Sequence, residues 1–281
     1  MTLKKNKFLW LEVICFLILI SISIYFKFLL QTNVNNKKSF LFISGSSSTQ
    51  KLCEDLGFEF SSSQNMCRVS KTGSGSSQAI IDIKKNLAQI GDLSRPLSDY
   101  ENKSLFDIHI IAKDAIAICI NKKNKLKNIS SVDLKDIFLK KNTNWKKLNG
   151  ENRKIALIGR DFSSGTRIVF EKYLHSSGKI NYDIELENNG KVKYKLQNDE
   201  DSIGYLSFSA VDDSLNVLSI DGIEPSFENI KNSKYHIIHP LLQITKKGVK
   251  DPIIDAWFSF VFSDKGAAII KQNRFIPVPK N

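Results

Sequence analysis

The sequence has few of the residues that build metal centres. Its 281 residues include four cysteines and four histidines, with neither a Cys-x-x-Cys pair nor an HExxH segment. Without those spacings, a structural zinc site or a zinc hydrolase has no recognisable ligand set. We therefore expect no metal ion and no other cofactor.

Motifs of nucleotide-binding and hydrolytic enzymes are also missing. The sequence has no GxxxxGK[ST] segment to cradle a triphosphate and no GxSxG elbow to present a serine nucleophile. The segment GSGSSQ lacks the third glycine spacing of a dinucleotide fingerprint. Composition leaves a serine–lysine hydrolase open, but no sequence pattern marks a base that would act on a particular serine. We predict that the protein is not an enzyme and has no catalytic residues.

Basic residues outnumber acidic ones without clustering. The net charge is +12, from 41 lysines and arginines against 29 aspartates and glutamates. No block of five or more basic residues occurs, and no basic stripe is interleaved with aromatic residues. A nucleic-acid partner is therefore not expected. The excess charge fits either a small anionic ligand or a solvated lysine-rich surface.

One long apolar run lies near the N-terminus. It follows the basic segment MTLKKNK, and its residues 8–26 contain only one charged residue, Glu12. Its length lies between the apolar core of a signal peptide and a full membrane span. An uncleaved anchor to the inner membrane is favoured, because no Ala-x-Ala-like cleavage site follows. A cleaved export signal and a lipid anchor at Cys15 are the alternatives, and all three place the body in the periplasm or otherwise outside the cytoplasm.

Three loops rich in serine and glycine recur in one context. They cover residues 45–49, 73–77 and 163–166, and each follows a predicted strand and precedes a predicted helix. This recurrence is typical of an α/β fold with parallel strands. Two further apolar segments, 107–123 and 236–245, are predicted as strands that pass between two lobes. Segment 131–148 is predicted as a single helix.

The same three loops predict a pocket for an oxyanion. Ligands collect at the carboxyl ends of parallel strands, where the first N–H groups of the following helices are unpaired. Glycine permits close approach of the backbone, and hydroxyl groups add short donors. Arg160 stands four residues before Ser164 and supplies a planar, charged donor. Simple helix capping is the alternative for each loop taken alone.

Two cysteines have two possible states in an exported protein. Cys53 lies in the first predicted helix and Cys67 in the second predicted strand. They can form a disulfide in an oxidising compartment or remain free thiols. Cys119, in the apolar segment AIAICI, is predicted to be a small buried side chain.

Several motifs, in a common order, resemble the PstS-like group, the periplasmic phosphate-binding proteins of ABC transporters. GRDFSSGTRIVFEKYL resembles the Arg-x-x-x-Ser-Gly-Thr signature of that family and its following helix. KTGSGSSQAI is similar to the second-strand loop, and IGDLSRPLSDYE to the SRxL…E segment. DSIGYLSFSA and the ending FSFVFSDKGAAIIKQNRFIPVP match as well. The likeness extends over residues 40–279.

The resemblance implies a fold and a domain organisation. The fold is α/β, of the type II periplasmic-binding-protein class, with two α/β lobes joined by a two-strand hinge. Residues 1–38 would form the anchor or signal segment and a linker. Residues 39–114 and 236–281 would form lobe 1, and residues 115–235 would form lobe 2.

The resemblance also implies a ligand-binding set drawn from both lobes. The implied phosphate ligands are Ser47, Ser48, Ser74, Ser94, Arg160, Ser164, Gly165 and Thr166. Some family members carry an aspartate at the position of Ser94, which accepts a proton from hydrogen phosphate and so rejects sulfate. That departure concerns selectivity more than anion binding itself. Asp92 and Arg95 are further candidates to reach the site, with a salt bridge at the hinge or surface as the alternative for Arg95.

The function implied by the resemblance is capture of inorganic phosphate outside the cytoplasm. The protein would deliver the anion to the permease subunits of an ABC transporter, attach to the membrane through its N-terminal segment and act as a monomer. A receptor for another oxyanion is one alternative. A phosphate-sensing surface protein without a transport role is the other.

Overall fold

The computed structural model describes residues 18–25, 27, 39–63 and 67–278. Residues 18–25 are helical. Among these residues, no helix has the length and apolar character needed to cross a membrane. Most of the predicted N-terminal anchor or signal segment lies outside the described residues.

Strands and helices alternate along most of the described chain. The strands are β1 (Ser39–Gly45), β2 (Cys67–Thr72), β3 (Ile90–Leu93), β4 (Phe106–Asn121), β5 (Asn128–Ile129), β6 (Ala156–Arg160), β7 (Ile184–Leu186), β8 (Ser202–Ser207), β9 (Leu215–Ile220), β10 (Ile238–Lys246) and β11 (Ile276–Pro277). The helices after residue 38 are α1 (Gln50–Ser63), α2 (Ser76–Lys84), α3 (Ser131–Phe138), α4 (Gly165–Tyr173), α5 (Asn189–Asn198), α6 (Phe227–Lys231), α7 (Pro252–Val261) and α8 (Asp264–Gln272).

The strands form two mainly parallel groups joined by antiparallel strands. Their order is β2-β1-β3-β10-β4-β8-β6-β7. β1 is parallel to both β2 and β3, and β6 is parallel to both β7 and β8. We call the group around β1–β3 the first half and the group around β6–β8 the second half. Parallel strands connected by helices bring several helix N-termini to one edge of each group.

β4 is the longest strand, with 16 residues, and it belongs to both halves. Its residues 106–115 pair with β10, and its residues 116–121 pair with β8 and β9. The chain returns to the first half through β10, beside β4. The predicted arrangement of two α/β regions linked by two strands is therefore present.

Each half has its own hydrophobic core. In the second half, the apolar segment 115–120 of β4 is completely buried and packs with residues of α3, β6 and β8. In the first half, Trp257 of α7 packs edge-on against Phe60 of α1 at a ring-centroid distance of 5.4 Å. Separate cores allow the two halves to remain folded while their relative orientation changes.

Segment 131–148 is not one helix, contrary to the prediction. α3 ends at Phe138, and a separate 3-10 turn begins at Trp145. Lys140 adopts a φ of 57°, which is incompatible with continued helix, and the Asn144 side chain accepts a hydrogen bond from the Lys146 N–H to begin the new turn. The backbone at Lys140 and the cap at Asn144 therefore interrupt the helix that the apolar periodicity predicts.

Cys53 and Cys67 are both free thiols, so the disulfide considered from the sequence is not formed. The Cys53 Sγ instead donates to Asp92 Oδ2 at 2.9 Å. Cys119 is completely buried in β4, as predicted.

Candidate anion-binding site

The three Ser/Gly loops meet in the cleft between the two halves. The Ser48 Oγ of the first loop lies 3.1 Å from the Thr166 Oγ1 of the third loop. The Ser77 N–H, from the second loop, donates to the Ser163 carbonyl at 3.1 Å. The third loop, more than 80 residues from the other two in the sequence, thus joins them in one cluster of hydroxyl and amide groups.

Arg160 ends β6 at the bottom of this cluster and is 1% exposed. Its Nε donates to the Leu186 carbonyl at 3.2 Å, and its Nη1 donates to Asn189 Oδ1 at 3.2 Å. Its Nη2 donates to the Glu187 carbonyl at 2.8 Å and, across the cleft, to Ser47 Oγ at 3.1 Å. All these acceptors are neutral oxygens.

Among the described residues, no carboxylate forms an ion pair with Arg160. Burial lowers the pKa of its guanidinium, whereas Tyr205 and Asp161 raise it. Arginine keeps its proton in proteins, so the site contains a desolvated positive charge. Nearby Arg167 differs, because its Nε lies 2.7 Å from Glu171 Oε1. Arg160 has no such contact ion pair with a described carboxylate, and its buried charge therefore favours an anionic ligand.

The N-terminus of α4 supplies further donors. Ser164 is its N-cap, and the Ser164 Oγ accepts the N–H of Arg167 at 3.2 Å. Gly165 and Thr166 form the first turn, where helix N–H groups lack intrahelical partners. This end of a helix favours an anion by about 0.3–1 kcal/mol, and by more when it is partly buried.

Gly165 allows the two halves to approach closely. A Cβ at this position would lie 2.4 Å from Ser76 Oγ and 2.6 Å from Ser94 Oγ. Both serines belong to the first half, and both are buried. Any side chain at position 165 would therefore push against the opposite wall of the cleft.

The second loop presents Ser76 to the cluster, a residue that the sequence analysis missed. Ser76 Oγ accepts the Ser94 N–H at 3.1 Å and lies 3.3 Å from Ser94 Oγ. Ser74 is exposed, and its Oγ lies 3.0 Å from Ser44 Oγ instead. The sequence signal that could have found Ser76 was Gly75. Gly75 is the N-cap of α2 and has no side chain to cap it, and Ser76 is the first residue of that helix.

Asn189 is a second residue that the sequence analysis missed. Its Oδ1 accepts from Arg160, and its Nδ2 donates to Ser48 Oγ at 3.2 Å. It therefore connects the guanidinium of the second half to a serine of the first half. Asn189 begins α5, and nothing in the segment NNG marks it as part of a site.

Two further sequence candidates, Asp92 and Arg95, bond to residues at the sides of the loops and not to Arg160. Asp92 Oδ2 accepts from Thr49 Oγ1 at 3.0 Å, on the core side of the first loop. Arg95 forms two hydrogen bonds of 2.7 Å with Glu101, and it also donates to Ser77 Oγ at 3.2 Å. Burial raises the pKa of Glu101, but its hydrogen bonds with Arg95 and Ser98 outweigh that effect and lower it.

An open cavity borders part of the cluster, whereas Arg160, Ser164 and Thr166 are buried. A cavity of about 430 Å³ has Ser47, Ser48 and Asn189 in its wall. Within the described residues, no group of three or more His, Cys, Asp or Glu side chains is placed to hold a metal ion. The arrangement offers hydrogen-bond donors and one positive charge, which suits reversible binding of an oxyanion.

Comparison with known proteins places these features in a family. Residues 31–265 match the model of the PBP superfamily domain. The phosphate-binding protein PstS of Bacillus subtilis is 34% identical over 136 residues, which are 47% of this chain and 45% of that protein. PstS of Staphylococcus epidermidis is 28% identical over 242 residues, 80% of this chain and 74% of that protein. The chain thus aligns with less than half the length of the first curated relatives.

Two solved structures have a similar fold. A putative phosphate ABC transporter substrate-binding protein from Clostridium perfringens, with bound phosphate, is 30% identical with a TM-score of 0.83 and covers 85% of this chain and 100% of its own. An ABC-type phosphate transport receptor from Vibrio cholerae is 26% identical with a TM-score of 0.72, at the same coverage of 85% and 100%. These matches confirm the predicted fold class and the resemblance based on sequence motifs. The chain belongs to the PBP superfamily, within the group of PstS-like substrate-binding proteins.

Proposed function

We propose that the chain binds inorganic phosphate in the cleft between its two halves. The observation that carries this proposal is the buried Arg160, which forms no ion pair with a described carboxylate. An oxyanion would replace the missing counterion and accept hydrogen bonds from the surrounding hydroxyl groups. The phosphate-binding proteins among its relatives support phosphate as that oxyanion.

The proposed ligands come from both sides of the cleft. We retain the eight residues predicted from the sequence and add the two that the structure brings into the cluster. From the first half these are Ser47, Ser48, Ser74, Ser76 and Ser94, and from the second half they are Arg160, Ser164, Gly165, Thr166 and Asn189. Ser74 is the least supported member, because its hydroxyl faces Ser44.

Phosphate binding would hold the two halves together. The lobe division at residues 39–114 with 236–281 and at residues 115–235 remains part of this proposal. Ser47, Ser48 and Ser77 already contact the second half across the cleft. An anion bound between them would add contacts to both sides only in the closed arrangement, and would therefore favour closure.

The biological role that we propose is extracytoplasmic capture of phosphate for an ABC permease. The relatives named as ABC transporter binding proteins support it. In this proposal the chain acts as a monomer, performs no covalent chemistry and is tethered to the membrane by its N-terminal segment. The permease would recognise the closed form. Loss of phosphate uptake on deletion of the gene separates this role from that of a phosphate sensor.

Ligand-dependent thermal melting tests the binding proposal. At a phosphate concentration a hundredfold above Kd, binding should stabilise the protein by about 2.7 kcal/mol. R160M should weaken phosphate binding by about 30-fold or more, because removal of a buried charge partner costs about 2–5 kcal/mol. R153M is the matched control, since Arg153 carries the same charge but pairs with Glu200 near the surface.

Calorimetric titration with sulfate tests selectivity. Asp92, a sequence candidate to reach the site, bonds instead to Thr49 on the core side of the first loop. Comparable affinities for phosphate and sulfate would contradict a phosphate-specific role and favour a general oxyanion receptor. No saturable stabilisation by either anion would overturn the binding proposal itself.

A further inference from the structure

A buried ion pair lies directly beneath the first Ser/Gly loop, outside the hydroxyl cluster. The Lys71 Nζ is 3.1 Å from Asp92 Oδ2, and the two side chains are 2% and 0% exposed. Removal of two charges from water is costly and requires well-placed hydrogen bonds in return. The hydrogen bonds of this pair lead to the loop that carries Ser47 and Ser48.

Both members of the pair hold the ends of that loop. The Lys71 Nζ donates to the Ser46 carbonyl at 3.2 Å, and Asp92 Oδ2 accepts from Thr49 Oγ1 at 3.0 Å. The Asp92 carbonyl also accepts the Ser46 N–H at 3.0 Å. Ser46 and Thr49 flank the two serines that reach across the cleft, so the pair determines where those serines lie.

The pair is itself anchored in the core of the first half. The Cys53 thiol donates to Asp92 Oδ2 at 2.9 Å, and Gln243 Nε2 lies 3.7 Å from that sulfur. The Trp257 Nε1 donates to Gln243 Oε1 at 2.7 Å. Burial, reinforced by the charge of Asp92, raises the pKa of the Cys53 thiol, which therefore remains a protonated donor.

We propose that Lys71 is a positioning residue for the anion site, an inference that rests on the phosphate-binding function proposed above. Lys71 fixes the Ser46 carbonyl and neutralises Asp92. Without its ammonium group, an uncompensated buried carboxylate would lie beneath a loop that has to hold an anion. Like charges repel strongly in a poorly solvated interior. Lys71 therefore makes the first loop electrostatically suitable for an anion without contacting the anion itself.

Charge removal in pairs tests this role. We expect K71M to weaken phosphate binding at least tenfold, measured by calorimetry. D92N should bind phosphate at least tenfold more tightly than K71M, because its amide oxygen still accepts from Thr49 and no buried carboxylate remains beneath the loop. The double variant K71M/D92N, which contains neither charge, should bind at least threefold more tightly than K71M. K140M is the matched control, since Lys140 pairs with Asp183 at 2.8 Å in the second half, and it should bind like the wild type.

The comparison of K71M with the double variant K71M/D92N distinguishes charge compensation from packing alone. If K71M binds phosphate like the wild type, or the double variant binds no better than K71M, the inference is wrong. If K71M does not fold, D92N and the double variant test the same contact, and the double variant should bind at least threefold more weakly than D92N. Equal affinities of those two would overturn the inference. A wild-type chain that binds no phosphate would overturn the proposed function itself.

Discussion

At the scale of single side chains, two residues define the candidate site: Arg160 at the end of β6 and Gly165 at the start of α4. Arg160 provides a buried positive charge whose described partners are neutral oxygens. Gly165 provides the space in which the first half can approach that charge. The site therefore depends on the large cationic side chain of Arg160 and on the absence of a side chain at Gly165.

The G165A variant tests the steric requirement. The added methyl group would overlap Ser76 and Ser94 across the cleft but would suit the helix of its own half. Overpacking of this kind costs about 1–3 kcal/mol, so phosphate affinity should fall about five- to a hundredfold. The melting temperature of G165A measured without phosphate should not fall below that of the wild type.

G190A is the control for that variant. Gly190 also lies in the first turn of a helix at the cleft, but the nearest atom to its added Cβ is Asn188 Oδ1, at 3.3 Å. Calorimetry should show nearly unchanged phosphate binding for G190A. An equal loss of affinity in both variants would mean that helix backbone changes, and not the overlap at position 165, limit binding.

At the scale of elements, β4 and β10 carry a buried polar pair at the connection between the halves. Asp114 of β4 is in register with His239 of β10, and both side chains are almost completely buried. Asp114 Oδ2 accepts from Ser207 Oγ and lies 3.6 Å from His239 Nε2, for which the described residues offer no hydrogen-bond partner. The hinge thus contains two titratable groups that face each other.

The two groups respond to pH in opposite directions. Burial raises the pKa of Asp114 to about 7, although hydrogen bonds from Ser207, Ala115 and Ser209 and the charge of Arg274 lower it. The folded protein therefore binds this proton more tightly than the unfolded chain, and the resulting stability is lost as pH rises from about 4 through about 7. Burial lowers the pKa of His239 to about 4, so its contribution is present above its ordinary value of 6.5 and is lost as pH falls through about 4.

The D114N variant separates these contributions. As pH rises from 5 to 8, the wild type should lose about 2–3 kcal/mol of its free energy of unfolding relative to D114N, because this range covers about two of the roughly three units by which folding raises the pKa of Asp114. Urea unfolding at several pH values measures the difference. D107N is the control, because Asp107 is partly exposed and Lys247 lowers its pKa. A difference between D114N and wild type that is independent of pH would show that folding does not raise the pKa of Asp114.

At the scale of the whole molecule, the closed arrangement contains its own electrostatic penalty. Arg160 is buried and donates to Ser47 across the cleft, without an ion-paired carboxylate among the described residues. In the proposed function an anion would remove the penalty, and the separate cores would allow the halves to move apart without it. The two states should therefore differ in compactness.

Small-angle X-ray scattering tests this coupling. The radius of gyration of the wild type should decrease when phosphate is added, because the halves close on the ligand. R160M should keep the larger radius at the same phosphate concentration. Identical scattering of the wild type with and without phosphate would show that the halves are closed, or open, regardless of the ligand.

Local patterns in the sequence were sufficient to determine much of this protein. The strand, Ser/Gly loop and helix order depends on neighbouring residues, and it predicted the α/β class, which the fold confirms. The anion site that includes Arg160 and α4 stays a prediction. The family motifs are local as well. Segment 131–148 shows the limit, because the positive φ of Lys140 and the cap at Asn144 interrupt a helix that periodicity alone predicts as continuous.

The tertiary structure decided which side chains face the cleft and which face the core. Ser76 rather than Ser74 reaches Ser94, and Asn189 joins Arg160 to Ser48, although 141 residues separate Asn189 from Ser48. No spacing in the sequence specifies these contacts, because they depend on how two separately packed halves are placed around one cleft. A sequence pattern can indicate that a loop will offer donors, but only packing determines the direction in which each donor points.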